Sequence, residues 1–103
     1  MKHYILFYEV VPDHAERRVP HRATHLGLAW EAHERGELVI GGALAEGPSG
    51  AALVFRGDSP RVVEKFVEAD PYVTEGLVTR WWVTEWLTVV GDQAANPIRP
   101  EKA

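Results

Sequence analysis

The chain begins with an alternating stretch. Over residues 4–10, Tyr4, Leu6, Tyr8 and Val10 share one face of an extended strand, and Ile5 and Phe7 share the other. Both faces are largely apolar, which predicts a central strand. Pro12-Asp13 breaks the pattern. Residues 14–19 are polar and irregular, suited at most to a short helical turn. The period then changes. Ala23, Leu26, Trp30 and His33 recur at steps of three and four, the spacing of a helical stripe. Pro20 suits the first turn, where a missing N–H is harmless. Gly36 is placed to cap the C-terminus.

Residues 38–44 form a second strand pattern, with Gly41-Gly42 inside it. Glu46-Gly47-Pro48-Ser49-Gly50 reads as a hairpin-like loop, and residues 51–55 as a third strand. Gly57-Asp58-Ser59-Pro60 is a helix start, with Asp58 or Ser59 able to cap and Pro60 in the first turn. Val63, Phe66 and Val67 give that helix a buried side. Asp70-Pro71 ends it, because a residue before proline is biased out of helical geometry. Residues 78–90 predict a long last strand. Arg80, Trp82, Thr84, Trp86 and Thr88 point one way; Trp81, Val83, Glu85, Leu87 and Val89 point the other. The order is βαββαβ. It fits an α+β, ferredoxin-like sandwich, an antiparallel sheet with two helices on one face. Residues 1–91 are assigned to the domain and 92–103, with Pro97 and Pro100, to a C-terminal tail.

Composition narrows the function. A chain of 103 residues with 46% hydrophobic and 25% charged content is one globular domain. No apolar run is long enough to span a bilayer. A net charge of -4 argues against nucleic-acid or anionic-membrane binding, which need a positive surface. Cysteine is absent, which excludes thiol catalysis and Cys-ligated metal and fits a cytoplasmic protein. Four Trp, three Tyr and three Phe are generous for a small core. The sheet face opposite the helices therefore predicts a homodimer packed sheet against sheet.

Histidine and carboxylate are the chemistry left. His21 and His25, four apart on a helix, can share a metal, but no third ligand stands at a diagnostic spacing, so no metal or cofactor is expected. No Gly-x-Ser-x-Gly elbow and no phosphate-binding loop is present. His25 lies at the edge of the apolar stripe, where a half-buried imidazole needs a partner. Asp70, at the end of the neighbouring helix, is the available carboxylate. Alone, Asp70 is equally an ordinary turn residue before proline. As a pair, Asp70 would fix the imidazole tautomer and His25 would act as general base or acid. Arg22, three residues before His25, is either a solvated helix arginine or a bidentate anion holder. Gly41 and Gly42 either open a pocket floor or admit a bulky neighbour such as Trp30. Arg22, Gly42 and Tyr72 are assigned to substrate binding.

Together these residues resemble the YCII-related (YciI-like) family over nearly the whole length. Tyr4-Ile5-Leu6-Phe7-Tyr8 resembles its first strand, and Arg22-Ala23-Thr24-His25-Leu26 its Arg-x-x-His-Leu helix motif. Residues 38–44 resemble its glycine-containing second strand. Asp70-Pro71-Tyr72-Val73, followed by Gly76-Leu77, is similar to its Asp-Pro-Tyr/Phe motif. The resemblance implies a dimeric α+β barrel type of ferredoxin-like fold, and a pocket where His25 and Asp70 face each other as an active-site pair. One branch of the family removes chloride from a chlorinated hydroxyhydroquinone, and fold relatives include muconolactone isomerases. Ala43 stands where many members carry proline, and Pro20 precedes the arginine where the family often has proline after it. The expectation is a small-molecule enzyme of lyase or isomerase type, acting on an anionic or aromatic ligand. The alternative is a non-catalytic dimeric module that binds or senses such a ligand.

Overall fold

The alternating N-terminal stretch becomes β1 (Lys2–Val10), an inner strand of the sheet. Two short helical pieces follow in the polar stretch: α1 (His14–Arg17) and a 3-10 turn (Val19–His21) with Pro20 in its first turn. Then come α2 (Arg22–Glu34), β2 (Leu38–Ala43), β3 (Gly50–Gly57), α3 (Arg61–Ala69), α4 (Pro71–Thr74) and β4 (Val78–Trp86). This computed structural model describes residues 1–46 and 50–100, so Gly47, Pro48 and Ser49 of the expected hairpin loop lie outside the described residues. The sheet order is β2-β3-β1-β4 and all pairings are antiparallel. That is the α+β, ferredoxin-like arrangement.

Register sorts the side chains. Tyr4, Leu6 and Tyr8 stand opposite Phe55, Leu53 and Ala51 on one side and Glu85, Val83 and Trp81 on the other. The even-numbered β1 positions therefore share the face that the helices cover. Leu6 and Phe55 are fully buried there, and Val63, Phe66 and Val67 from α3 close over them. The apolar residues of α3 recur at the three–four spacing, which is why this helix sits flat on the sheet. Gly36 ends α2 with φ +81°, a conformation that a side chain would disfavour.

Several local expectations are corrected. The stripe on α2 does not enter the core: Ala23 is exposed, and Leu26 and Trp30 are 42% and 63% exposed. Ala32 is the buried residue of this helix, with Leu28 and Ala29 packed beside it. The stripe residues Leu26, Trp30 and His33 instead line a cavity between α2 and the sheet edge. Leu26 and Trp30 wall a space rather than fill one, and His33 Nδ1 meets the Leu38 carbonyl at 2.8 Å. The last strand ends at Trp86, not at residue 90. Beyond it the chain folds back on itself, with the Asn96 and Ile98 amides donating to the Thr88 and Val89 carbonyls. The Ala95 amide donates to Thr88 Oγ1, and Thr88 Oγ1 lies 2.8 Å from His3 Nδ1, which ties the arm to β1. Pro60 caps α3 and lies just before it, one position earlier than the spacing suggests.

On the other face, Phe7 and Trp82 are cross-strand partners and stack at 5.3 Å. Ile5 and Val54 flank them, half-buried, and Trp86 is 49% exposed. Among the described residues no helix packs on this face, and none is long and apolar enough to cross a membrane.

Candidate functional site

Asp70 joins two helices. Pro71 excludes Asp70 from helical geometry, and it takes an extended conformation (φ −73°, ψ 118°) between α3 and α4. Its side chain then turns forward and caps α4, accepting from the Tyr72 amide at 3.1 Å. The same carboxylate is fully buried. A buried carboxylate is costly unless every oxygen is satisfied. Here three donors reach it. The Tyr8 hydroxyl donates to Oδ2 at 2.7 Å, and His25 Nδ1 lies 2.8 Å from Oδ1, the oxygen that also receives the Tyr72 amide.

These contacts direct three donors at the Asp70 carboxylate. Burial above all, reinforced by the adjacent carboxylate, pushes the Tyr8 phenol far above its usual range, so Tyr8 acts as a donor. With Oδ1 an acceptor, Nδ1 of His25 carries the hydrogen, and in the neutral ring it is Nε2 that bears the lone pair. The His25 ring is further held by a parallel stack on Tyr72, with centroids 3.8 Å apart and planes 5° apart. Phe66 approaches its edge at 6.2 Å. The imidazole is thus fixed in tautomer and plane, with only 14% of its side chain exposed.

His25 opens onto a cavity of about 580 Å³ between α1, α2 and β2. Arg22, Gly42 and Tyr72 line the same cavity, and Asp70 sits behind Tyr72 and His25. So the residues singled out in the sequence converge on one place. Asp70 makes both contacts at once, capping α4 through the Tyr72 amide and meeting His25 Nδ1. Of the two strand glycines, Gly41 is the tight one. A Cβ there would lie 3.1 Å from Leu53 Cγ, whereas one on Gly42 would meet nothing within 4 Å. The bulky neighbour that Gly41 admits is Leu53, not Trp30. His21 does not line the cavity, and among the described residues no three His, Cys, Asp or Glu side chains cluster.

Three cavity residues escaped sequence reasoning. Tyr8 reads as one more core residue of β1, and its partner is 62 positions away. His14 and Arg18 lie in the aperiodic stretch around α1. The one available signal was a polar tip on a buried strand, since a buried tyrosine hydroxyl demands an acceptor. The Tyr72 phenol is raised by burial, an effect that Arg18 and Arg22 oppose.

A family model for the YCII-related domain matches residues 1–87. The chain belongs to the YCII-related family. Solved structures that this chain resembles include 5-chloro-2-hydroxyhydroquinone dehydrochlorinase from Burkholderia phenoliruptrix, in complex with 2,5-dihydroxybenzoquinone. It is 22% identical, with a TM-score of 0.70 over 82% of this chain and 92% of that one. Two further structures share the fold. A structural-genomics protein from Agrobacterium tumefaciens is 14% identical, with a TM-score of 0.54 over 93% and 99% of the two chains. An acylphosphatase from Bacillus subtilis is 20% identical, with a TM-score of 0.51 over 96% and 100%. These identities establish a common fold. No curated protein matches the chain significantly. The family match stops at residue 87, so the arm held by Thr88 lies beyond it.

Proposed function

We propose that this chain is a small-molecule enzyme of lyase or isomerase type, with His25 as the proton carrier and Asp70 as its orienting partner. The observation that carries this reading is the Nδ1-to-carboxylate contact of 2.8 Å on the wall of a ligand-sized cavity. A family neighbour that is a dehydrochlorinase supports a reaction begun by proton removal. In the proposed step, Nε2 of His25 takes a proton from an acidic C–H or O–H bond of the ligand. The electron pair left behind has two outlets. It expels an anionic leaving group, which completes an elimination, and His25 then returns its proton to water. Otherwise it moves along a conjugated system and is protonated at another carbon by the same imidazolium, which completes an isomerisation. Asp70 stays ionised throughout and stabilises the imidazolium. General acid–base help of this kind contributes roughly 10²–10⁴-fold.

The ligand class follows from the lining. Leu26, Trp30 and Leu53 offer flat apolar contact, and Arg22 offers positive charge. An anionic aromatic or conjugated metabolite fits. We assign the open sheet face to a homodimer contact, on the support of Phe7, Trp82 and Trp86.

The test is a thermal-shift screen of aromatic acids, phenols and quinones, 2,5-dihydroxybenzoquinone among them, because a ligand of the folded state raises the melting temperature. Hits are then incubated in D₂O and followed by NMR. Deuterium entering at carbon, or a leaving group released, is expected with the native chain and absent with His25→Ala. Hits that bind the native chain with no exchange and no product would replace the enzyme reading with the binding-module one.

A further inference from the structure

Part of the cavity wall is built from groups that the His25–Asp70 pair does not use. His14 lies on α1, Arg18 just after it and Arg22 at the start of α2, and all three line the cavity. Four other arginines are ion-paired: Arg17 with Asp13, Arg35 with Glu37, Arg61 with Glu68 and Arg80 with Glu9. Arg56 donates to the Gly36 carbonyl, and Arg99, in the C-terminal arm, has no ion pair among the described residues. Among the described residues, Arg18 and Arg22 have neither an ion pair nor a side-chain hydrogen bond. The chain has 15 acidic residues, yet none of the 23 described residues lining the cavity is acidic. The nearby carboxylate, Asp70, is buried and already holds three donors. The two guanidiniums therefore face a space with no protein anion in it.

His14 completes the group. Its ring meets Tyr72 edge-on at 5.2 Å, on the tyrosine that also stacks against His25. Nδ1 of His14 is buried with no hydrogen-bond partner, while Nε2 has no partner among the described residues and is not buried. Burial first, then Arg18 and His25, hold this imidazole below its usual pKa, so it is neutral at neutral pH. Orphaned buried N–H groups are rarer than under-satisfied acceptors, which places the one hydrogen on the open Nε2. The wall thus presents two cationic donors and one neutral donor, with no carboxylate in the lining beside them.

We propose that His14, Arg18 and Arg22 form an oxyanion subsite that takes the ionised oxygen of a planar ligand, a phenolate, enolate or hydroxyquinone anion, whose ring lies along Leu26, Trp30 and Leu53. This rests on the cavity being the ligand site. It divides the labour: His25 removes the proton, and the negative charge that appears on oxygen is held at this wall.

The probe is 4-nitrophenol, whose phenolate is yellow and whose acid is nearly colourless. The experiment is run at a pH below the phenol's own pKa, with binding measured separately by equilibrium dialysis. The native chain is expected to favour bound phenolate by about tenfold, seen as added yellow absorbance. Arg18→Gln and Arg22→Gln should each remove most of that preference. His14→Leu should lower it roughly threefold, in keeping with one neutral hydrogen bond, and His14→Gln should restore it by supplying an N–H. Bound probe with the same ionised fraction as free probe overturns the subsite and leaves the cavity reading standing. So does a phenolate preference that survives in the Arg18→Gln, Arg22→Gln double variant, and so does binding of 2,5-dihydroxybenzoquinone without any binding of 4-nitrophenolate. If neither compound binds the native chain, the cavity reading falls and takes the subsite with it.

Discussion

The two faces of the sheet are built from similar residues and end in different states. On the helix face, Tyr4, Leu6, Leu53 and Phe55 are 3%, 0%, 4% and 0% exposed. On the open face, Ile5, Phe7, Val54 and Trp82 are half-buried, and Ile40 and Trp86 are 68% and 49% exposed. Hydrophobicity does not separate the two faces. What separates them is the presence of α3, whose Val63, Phe66 and Val67 seal one side and leave nothing equivalent on the other. Sealing also sets the chemistry. On the covered face water is excluded well enough for the Tyr8–Asp70–His25 contacts to be obligatory, since a polar group shut away from water must find protein partners.

That contrast has measurable edges. The largest effect is expected on the open face, where the homodimer contact is proposed: light scattering should give the native chain a dimer's mass and Trp82→Lys a monomer's, with far-UV dichroism unchanged. A monomeric native chain, or a dimer whose mass the change leaves unaffected, would remove the proposed contact from this face. On the helix face, Leu6→Ala should cost about 3–4 kcal/mol in denaturant unfolding, as a large-to-small change at a sealed site does. Its open-face neighbour Phe7→Ala should cost clearly less in the monomeric Trp82→Lys background; equal losses would erase the distinction. Tyr8→Phe keeps the packing and removes one donor from a buried carboxylate, so a loss of about 2 kcal/mol is expected. Any activity found should fall with it even where the protein remains folded.

The smallest effect concerns pH. His3 and His14 both have pKa values lowered chiefly by burial, below the ordinary value of 6.5. The native chain therefore holds these protons less tightly than the unfolded chain. Stability from this source is unchanged above about pH 6.5 and declines as pH falls from there through the native pKa values. The melting temperature of a His3→Gln, His14→Gln double variant should depend less on pH over that window than the native one.

Much of the fold was legible because its punctuation is local. Pro12-Asp13, Gly36, Asp58-Ser59-Pro60 and Asp70-Pro71 each interrupt a clear period, and each interruption fell at or near an observed boundary. The pairing of His25 with Asp70 was reachable from the edge of an apolar stripe and a helix-ending aspartate. The remainder of the site was not. Tyr8 is indistinguishable from Tyr4 by pattern, and only the three-dimensional approach of α3 and α4 supplies it with an acceptor. The stripe on α2 was read as core because apolar side chains around a cavity and inside a core obey the same spacing. His14 and Arg18 sit in a stretch with no period to read. The end of β4 was misplaced for a related reason: Leu87, Val89 and Val90 continue the apolar run after its strand pairing has stopped.

One oxygen of Asp70 has two employers. It caps the four-residue helix α4 through the Tyr72 amide and orients the ring of His25. A helix of a single turn has no stability of its own, and such segments fray well before a domain melts. Unwinding of α4 would withdraw the Tyr72 amide from Asp70 and the support of the Tyr72 ring from the imidazole. The ring geometry of His25, and any activity it supports, therefore depends on one single-turn helix. Warming should silence that activity by local unwinding at temperatures where the sheet is still intact.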